Sequence, residues 1–244
     1  MITALMNQKG GVGKTTSVQN LAAAYLHLKS AVLMIDMDPQ CNLTYVSGSD
    51  MTLPSILDVL NGKAEAASVV QHIEGAPDII TADPMLSTYE GNVTTFRDVL
   101  VPLTGLYKMI VVDAPPSLGL LTLSILAACD DVIIPVEAND VCSLQGLYSL
   151  GETIDAVRNS INGKLRVAGI FRTKYVARSV LPRALNPMFV EVAESLNTRV
   201  FETVIRNCVA LCEARAARTD IFRYKKRSNG ALDYKALCKE YMEV

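Results

Sequence analysis

Short runs of apolar residues alternate with stretches of helical spacing along most of the chain. The runs, which are bounded by glycine, proline or aspartate, predict strands at 2–6, 31–35, 78–81, 108–113, 131–136, 165–171 and 199–204. Helical spacing predicts helices at 16–28, 53–60, 118–128, 141–157 and 181–196, and a core-packing terminal helix within 231–244. Strands that alternate with helices predict an α/β fold, in which helices cover both faces of a mostly parallel sheet.

The length and composition fit one domain. The chain has 244 residues, of which 50% are apolar, and we expect a single domain over residues 1–244. The apolar stretch at 118–128 is too short to span a bilayer. Because the first predicted strand starts at residue 2, we expect no signal peptide and no appended DNA-reading domain.

A glycine-rich loop follows the first predicted strand and reads Gln-Lys-Gly-Gly-Val-Gly-Lys-Thr-Thr at 8–16. Its glycines let the backbone curl so that successive N–H groups converge on phosphate oxygens. Lys14 would reach the β- and γ-phosphates, Thr15 would ligate Mg²⁺, and Thr16 begins a helix whose positive end faces the nucleotide. We therefore predict that the nucleotide is bound by Gly10, Gly11, Val12, Gly13, Lys14, Thr15 and Thr16.

Carboxylates follow two further apolar strands at the point where each strand ends. Asp36 and Asp38 follow the second strand in Asp-Met-Asp-Pro-Gln, and Asp113 follows the fourth in Asp-Ala-Pro-Pro. Open α/β sheets bind ligands at the carboxyl ends of their strands. Asp113 has the Walker B position, and we predict that it holds Mg²⁺ through a coordinated water. Three such strand ends in this order predict a P-loop ATPase that uses ATP and Mg²⁺.

The loop departs from the strict Walker A pattern, because Gln8 stands where glycine is usual and a second lysine, Lys9, precedes the glycines. It resembles the deviant Walker A of the ParA/MinD/nitrogenase-iron-protein superfamily. The resemblance implies that Lys9 crosses a dimer interface to the phosphates of the partner's nucleotide, so that ATP joins two copies. It also implies that Asp38 positions or activates the attacking water and that Asp36 supports the magnesium end. Lys9, Lys14 and Asp38 would then be the catalytic residues.

Within that superfamily the chain resembles the ParA family over nearly its whole length. Besides the two aspartate motifs, residues 173–181 match a family segment, although Val176 stands where aspartate is usual and Ser179 where threonine is usual. Arg206 and Asn207 resemble the family's turn near the adenine, which implies that Asn207 contacts the base. The resemblance implies a small ParA-type ATPase that partitions plasmid, chromosomal or integrated-element DNA. It would act as an ATP-dependent sandwich dimer whose hydrolysis is stimulated by a ParB-like centromere-binding partner.

The net charge of −2 hides a change of sign along the chain. Residues 1–156 hold six Lys and Arg against 17 Asp and Glu, a net −11, whereas residues 157–227 hold 15 against five, a net +10. Such a separation is typical of a contact with nucleic acid or another acidic surface, although a dimer with matching halves or a solvated basic face would also produce it. We predict non-specific, salt-sensitive DNA binding by Arg178, Arg215, Arg218, Arg223, Lys225, Lys226 and Arg227, with a wider footprint that includes Arg172, Lys174 and Arg183.

Two other classes of function remain open. A MinD-like positioning ATPase would bind membrane through a basic amphipathic terminal helix, but the tail mixes charges, and Leu232, Ala236, Leu237 and Met242 look core-packing. A small-molecule kinase or reductase explains Lys9 poorly. For a nitrogenase-iron-protein reading, Cys129 and Cys142 are the nearest candidates to hold a cluster, but their flanks do not resemble that branch. The six cysteines include no Cys-x-x-Cys pair, and we expect reduced thiols in a cytoplasmic protein. The resemblance to ParA implies that the protein associates with the nucleoid and does not contact the membrane.

Overall fold

The strands form one parallel sheet. The computed structural model describes residues 1–28, 30–140 and 143–244, and for residues 143–145 and 183 the backbone alone. Its strands are β1 (Ile2–Leu5), β2 (Val32–Asp36), β3 (Asp78–Ile80), β4 (Met109–Asp113), β5 (Asp131–Glu137), β6 (Arg166–Tyr175) and β7 (Val200–Arg206). The order across the sheet is β3-β2-β4-β1-β5-β6-β7, and neighbouring strands are parallel. The predicted fold class is confirmed.

Helices connect the strands in sequence. They are α1 (Lys14–His27), α2 (Asn42–Ser47), α3 (Ile56–Leu60), α4 (Thr95–Thr104), α5 (Leu120–Ala128), α6 (Ser143–Ser160), α7 (Leu181–Ser195), α8 (Val209–Ala216), α9 (Ile221–Lys225) and α10 (Asn229–Met242). Two single turns of 3₁₀ helix lie at Ala66–Val69 and Pro84–Thr88. Among the described helices, none is long and apolar enough to cross a membrane.

The strands read as unbroken apolar runs because helices bury both faces of the sheet. In β2, Leu33 and Ile35 join one hydrophobic cluster, whereas Val32 and Met34 join the other. The first cluster also takes buried side chains from α3 to α7, and the second takes them from α1, α2 and α10. The alternation of side chains along each strand therefore divides the core into two layers.

The chain order reverses around β1, which lies between β4 and β5. The connection after β1 leads to β2 on the β4 side, whereas β5 pairs with the other edge of β1. In an open parallel sheet, such a reversal leaves a crevice at the carboxyl ends of the strands. The glycine loop after β1 and the aspartates after β2 and β4 all lie at this edge, which places the candidate site.

The elements that were predicted from periodicity are present, with ends that differ by a few residues. The prediction of a helix at 141–157 corresponds to α6, and its first two residues lie outside the described part of the chain. Four helices were not predicted: α2, α4, α8 and α9. In α4, Phe96, Leu100 and Leu103 are buried at helical spacing, but Pro102 lies within the helix and obscures the pattern.

The terminal helix packs on the core, but through other residues than those expected. Of the four residues proposed to pack, Leu237 is buried, whereas Leu232, Ala236 and Met242 are exposed. The packing face consists instead of Ala231, Tyr234, Leu237, Cys238 and Tyr241. The Tyr234 hydroxyl shares a hydrogen bond of 2.8 Å with Ser17 Oγ, and the Tyr241 hydroxyl one of 2.7 Å with Thr3 Oγ1. The tyrosines were overlooked because an aromatic ring with a polar tip is often exposed.

Gly169 in β6 allows Phe201 of β7 to lie flat against the sheet. A Cβ at Gly169 would lie 2.4 Å from Phe201 Cε2, and this ring is fully buried. We expect Gly169→Ala to destabilise the protein by about 1–3 kcal/mol, because the ring has no room to move. Urea denaturation would show this as a lower midpoint with an unchanged slope.

Gly105→Ala is the matched control. Gly105 ends α4 in a right-handed helical conformation, and a Cβ added there would meet no atom within 4 Å. Its substitution should leave the midpoint unchanged or raise it slightly. Equal midpoints for the Gly169→Ala variant and the parent would contradict the packing argument.

Candidate functional site

The loop between β1 and α1 has the backbone that phosphate binding requires. Gly11 and Gly13 have φ of 78° and 92°, a left-handed conformation that other residues rarely adopt. Thr173 of β6 holds the loop in place, since its Oγ1 donates a hydrogen bond of 2.8 Å to the carbonyl of Val12. Its side chain is also 3.7 Å from the place of a Cβ on Gly13. The loop is therefore held at the N-terminus of α1, where N–H groups and the helix dipole favour an anion.

Asn7 joins this loop to the middle of the sheet, and its role was not predicted. Its Nδ2 donates to the carbonyl of Pro135 at 2.7 Å, and its Oδ1 accepts the N–H of Lys9 at 2.9 Å. Lys14 Nζ donates to the carbonyl of Asn7 at 2.9 Å and to that of Lys9 at 3.2 Å. Burial lowers the pKa of Lys14, whereas the charges of Asp113 and Asp38 act to raise it. The ammonium is thus held inside the loop and faces carboxylates.

Asp113 has the features of a metal ligand. It is 1% exposed, and neither of its side-chain oxygens has a hydrogen-bond partner among the described residues. Burial raises its pKa well above the ordinary value, and the charge of Asp36 raises it further, while the neighbouring Thr15 hydroxyl and the Lys14 charge act in the opposite direction. A buried carboxylate without a partner is costly unless a cation meets it. Oxygen donors from a carboxylate and a hydroxyl are what Mg²⁺ prefers, so these residues fit the ion.

Asp36 has a different environment, although it lies opposite Asp113 in the pairing of β2 and β4. Its Oδ1 accepts the N–H of Asp38 at 3.1 Å, and its Oδ2 accepts both the N–H and the hydroxyl of Thr44 at 2.8 Å. Burial raises the pKa of Asp36 to about 6, and the Thr44 hydrogen bonds limit the rise. The structure therefore gives Asp36 a positioning role, in which it ties Asp38 to α2. A contact with the metal stays a prediction.

Thr44 was missed by sequence reasoning, and it completes this arrangement. Its hydroxyl also accepts the N–H of Ala82 at 2.8 Å, which fastens the end of β3 to the same point. Asp38 itself is 7% exposed, and its Oδ1 accepts the N–H of Gln40 at 3.0 Å. The predicted water-positioning carboxylate is thus held by backbone contacts on either side.

The glycine loop, Lys14, Thr15 and Asp38 border one cavity of about 430 Å³. It is lined by the glycine loop on one side and by Asp38, Gln40 and Asn42 on another. The far wall consists of Asn207, Cys208, Leu211, Cys212 and Arg215. A double ion pair fixes the strand end before this wall, because Arg206 Nε lies 3.0 Å and Nη2 2.5 Å from Asp233 Oδ1. The cavity brings Asn207, the predicted adenine contact, together with the phosphate loop.

Lys9, the second lysine of the loop, makes an ion pair within its own chain. Its Nζ donates to Asp140 Oδ2, and the two side chains are 38% and 17% exposed. Asp140 follows the end of β5, so the pair lies at the same carboxyl edge of the sheet as the cavity. The sequence did not predict this contact.

The residues predicted to bind DNA fall into different environments. Arg218 donates to the carbonyls of Tyr45 at 2.8 Å and Ser49 at 3.3 Å, and Arg223 pairs with Asp220 Oδ2 at 2.5 Å. Arg215 lines the cavity. Arg218 and Arg223 thus have partners within the chain and Arg215 borders the cavity, while DNA binding by these three arginines stays a prediction.

The remaining predicted cations are exposed. The side chains of Arg178, Lys225, Lys226 and Arg227 make no hydrogen bond or ion pair within the described part of the chain. Among the residues that would widen the footprint, Arg172 bonds to Asn186 Oδ1 at 2.7 Å and Lys174 pairs with Glu137 at 2.9 Å. The side chain of Arg183 lies outside the described residues.

Comparison with known proteins identifies the family. A family model described as an AAA domain matches residues 1–167. The chromosome partitioning protein ParA of Myxococcus xanthus is 34% identical over 252 residues, which cover 99% of this chain and 88% of its own. The chromosome-partitioning ATPase Soj of Thermus thermophilus is 36% identical over 243 residues, with coverage of 98% and 94%. The chain belongs to the ParA/Soj family of partitioning ATPases.

Among solved structures, cobyrinic acid a,c-diamide synthase of Mycobacterium smegmatis with a bound ATP analogue and magnesium is similar, with a TM-score of 0.83. It is 29% identical, and the match covers 98% of this chain and 92% of that one. The different activity in that name shows that this fold serves several functions. The function of the present ParA/Soj ATPase beyond nucleotide hydrolysis must therefore be argued from its own residues.

The protein is an ATPase that uses ATP and Mg²⁺, and its geometry suggests which residues do the work. When bound, Mg²⁺ would neutralise charge that develops on the β- and γ-phosphate oxygens. We expect Asp113 and Thr15 to hold the ion and the glycine loop with Lys14 to orient the phosphates. Asp38, fixed by Asp36 and Gln40, would orient the attacking water.

The cysteines give no support to an iron–sulfur site. Cys129 is buried between α5 and β5, at the opposite edge of the sheet from the cavity. Cys142 lies outside the described residues. Among the residues that are described, no group of three or more His, Cys, Asp or Glu side chains is placed to hold a metal ion.

Asp113→Asn tests the metal assignment and should separate stability from function. Because burial raises the pKa of the folded-state carboxyl, its ionisation opposes folding. This cost is absent below about pH 4, where the unfolded carboxyl is also protonated, and it grows as the pH rises. The variant without nucleotide should therefore have a higher Tm than the parent at about pH 8 and a similar one at about pH 4.

The same variant should lose the gain in ADP affinity that Mg²⁺ gives the parent, because an amide cannot supply the negative charge. Isothermal titration with and without Mg²⁺ would measure this, and Asp98→Asn, at an exposed carboxylate of α4, is the control. A Mg²⁺ effect of parental size in Asp113→Asn would contradict the assignment.

Proposed function

We propose that this protein partitions DNA by forming an ATP-dependent sandwich dimer that binds DNA non-specifically and is released on hydrolysis. The observation that carries the proposal is the position of Lys9, a second cation at the rim of the phosphate loop. Membership of the ParA/Soj family supports it. By analogy with that family, the cargo would be plasmid, chromosomal or integrated-element DNA, and a ParB-like centromere-binding protein would stimulate hydrolysis. The protein would act in the cytoplasm, on the nucleoid.

Lys14 already supplies the positive charge that the chain's own phosphates need, because it lies inside the loop. Lys9 lies outside and pairs with Asp140 at the exposed edge of the site. A partner's γ-phosphate carries more negative charge than one carboxylate, and a cation delivered from a second subunit would stabilise phosphoryl transfer. We infer that Lys9 exchanges Asp140 for the partner's nucleotide when the dimer closes.

Substitutions at the two ends of this ion pair should have opposite effects on dimer formation. Lys9→Ala should bind Mg·ATP and remain a monomer without dimer-dependent hydrolysis, because the crossing charge is lost. Asp140→Asn should form the dimer at a lower protein concentration than the parent, because Lys9 no longer has to break an ion pair before it reaches the partner. Such a partly exposed ion pair is worth up to about 1 kcal/mol, which corresponds to a change of up to about fivefold for each protomer. Multi-angle light scattering with a slowly hydrolysed ATP analogue would measure both.

Lys63→Ala is the control for loss of a lysine at an exposed position elsewhere. Its dimerisation should match that of the parent. If Lys9→Ala formed the dimer as readily as Lys63→Ala, the assigned role of Lys9 would be wrong. An Asp140→Asn variant that dimerises less readily than the parent would show that the ion pair belongs to the closed state instead.

The DNA contact is best assigned to Lys225, Lys226 and Arg227, which are exposed. Lys225 ends α9, and the other two lie between α9 and α10. Ser228 caps α10 by accepting the N–H of Ala231, so the positive end of a 14-residue helix directly follows the three cations. The positive side chains and the N-terminus of α10 can both bind backbone phosphates, whatever the base sequence of the DNA. A dimer would present this surface twice and so steepen the dependence of DNA affinity on salt.

A triple variant, Lys225→Ala with Lys226→Ala and Arg227→Ala, should lower ATP-dependent DNA affinity by about tenfold or more. Each phosphate contact that is lost should also reduce the slope of log affinity against log salt concentration by about 0.9. Fluorescence anisotropy with a labelled duplex, at two salt concentrations and with ATP, ADP or no nucleotide, would measure affinity and slope.

The matched control removes three exposed cations elsewhere: Lys63, Arg97 and Lys164. It changes the net charge equally, so a loss of affinity confined to the first variant would locate the contact. Equal losses in both would mean that only overall charge matters, and DNA binding without nucleotide would contradict ATP gating.

A membrane-bound MinD-like role is the alternative, and α10 argues against it. The apolar face of α10 packs on the core through Tyr234, Leu237 and Tyr241, so it is not available for insertion between lipids. Cosedimentation with anionic liposomes in the presence of ATP, set beside the DNA titration, would distinguish the two. Binding to liposomes with no binding to DNA would favour the alternative.

A further inference from the structure

One face of α8 forms part of the nucleotide cavity. Leu211, Cys212 and Arg215 of the helix line it, together with Cys208, the residue that precedes the helix as its N-cap. The opposite face, with Ala210 and Ala214, packs against Ile221 and Ala231. The helix is therefore fixed from behind, and it holds two thiols in the cavity wall.

These two thiols differ from the other described cysteines. Cys41, Cys129 and Cys238 are buried, and burial raises the pKa of Cys41 and Cys238 to about 12 and that of Cys129 well above its ordinary value. Thiols of this kind react slowly, because the thiolate is the nucleophile. Cys208 is half-buried and Cys212 is exposed. Among the described cysteines, the accessible thiols are thus the ones beside the nucleotide.

We propose that Cys212 is a modification site at which a low-molecular-weight disulfide, such as glutathione disulfide, blocks nucleotide binding. The Cys212 thiolate would attack one sulfur of that disulfide. A protein–glutathione disulfide forms, the disulfide bond of the reagent breaks, and one glutathione thiolate leaves and takes up a proton. The protein thiol is oxidised and half of the reagent is reduced, so no other oxidant is required.

Arg215 makes this position suitable for glutathione in particular. It lies three residues after Cys212 on the same face and lines the same cavity, and it makes no ion pair within the described residues. Glutathione carries carboxylates that a guanidinium can pair with. An adduct that points into the cavity would occupy the wall facing the phosphate loop, where the base and sugar of a nucleotide are expected.

Cys208 is not expected to capture Cys212 in an internal disulfide. Side chains four residues apart on a helix have Cβ atoms about 5–6 Å apart, whereas a disulfide needs about 3.5–4.5 Å. The first turn of α8 would have to unwind, and the packing of Ala210 opposes this. The expected product is therefore a mixed disulfide that a reducing agent reverses.

The inference rests on nucleotide binding by this ATPase and not on DNA partitioning, so the two can fail separately. The test uses the full chain with Cys142→Ser, because that cysteine lies outside the described residues. The protein is treated with glutathione disulfide, with and without Mg·ADP, and the modified residue is located by peptide mass spectrometry. Alkylation by N-ethylmaleimide gives an independent rate.

We expect Cys212 to be modified first, and Mg·ADP to slow its modification by at least about tenfold. The adduct should bind a fluorescent ATP analogue at least about tenfold more weakly than the same preparation before treatment, with recovery after dithiothreitol. Cys212→Ser, compared with its own untreated sample, should lose this sensitivity, whereas Cys238→Ser should keep it.

Three results would overturn the proposal. Modification of Cys212 at the same rate with and without Mg·ADP would place the thiol outside the nucleotide's reach. An adduct that binds the analogue as tightly as the untreated protein would show that it does not block the cavity. Inhibition that persists in Cys212→Ser would assign the effect to another cysteine.

Discussion

Two carboxylates buried side by side at the carboxyl edge of the sheet determine how this site is organised. Asp36 and Asp113 are opposite each other in β2 and β4, and they are 0% and 1% exposed. Like charges at low dielectric repel strongly, so the fold must supply compensation. Asp36 receives it from the Asp38 N–H and from Thr44, whereas Asp113 has no hydrogen-bond partner of its own among the described residues. The asymmetry leaves one carboxylate for structure and one for a cation.

This pair would also connect a bound Mg²⁺ to Asp38, the residue that is predicted to position the attacking water. Asp36 holds the N–H of Asp38, and Thr44 holds both Asp36 and the N–H of Ala82 after β3. The charge of Asp36 raises the pKa of Asp113, and a cation held by Asp113 would offset the repulsion between these two carboxylates and favour their ionised forms. Bound Mg²⁺ would thus be coupled to the geometry of Asp38 through the contact between the two carboxylates and the hydrogen bond from the Asp38 N–H to Asp36.

Periodicity predicted the sheet, the glycine-rich motif predicted the phosphate loop, and the resemblance of the motifs to known ones indicated the family, because each of these depends on local sequence. The positive φ of Gly13 and the position of Asp113 at the end of a buried strand are determined by the residues next to them in the sequence. Asn7, Thr44 and Asp140 could not be found in this way. Each acts on a residue that only the parallel pairing brings near, as Asn7 does with Pro135 and Lys9 with Asp140. The intramolecular partners of Arg218 and Arg223 were not foreseen for the same reason, since charge counts do not reveal them.

A close contact between α8 and α10 connects the wall of the nucleotide cavity to the start of the terminal helix. Leu211 lines the cavity, and a Cβ on Gly230 would lie only 2.8 Å from its Cγ, so the two helices touch without spare room. Gly230 follows the cap at Ser228, directly after the exposed cations at 225–227. Close-packed interiors transmit displacement instead of absorbing it. We therefore expect a nucleotide that displaces Leu211 to displace the start of α10 as well, because no space separates Leu211 from Gly230.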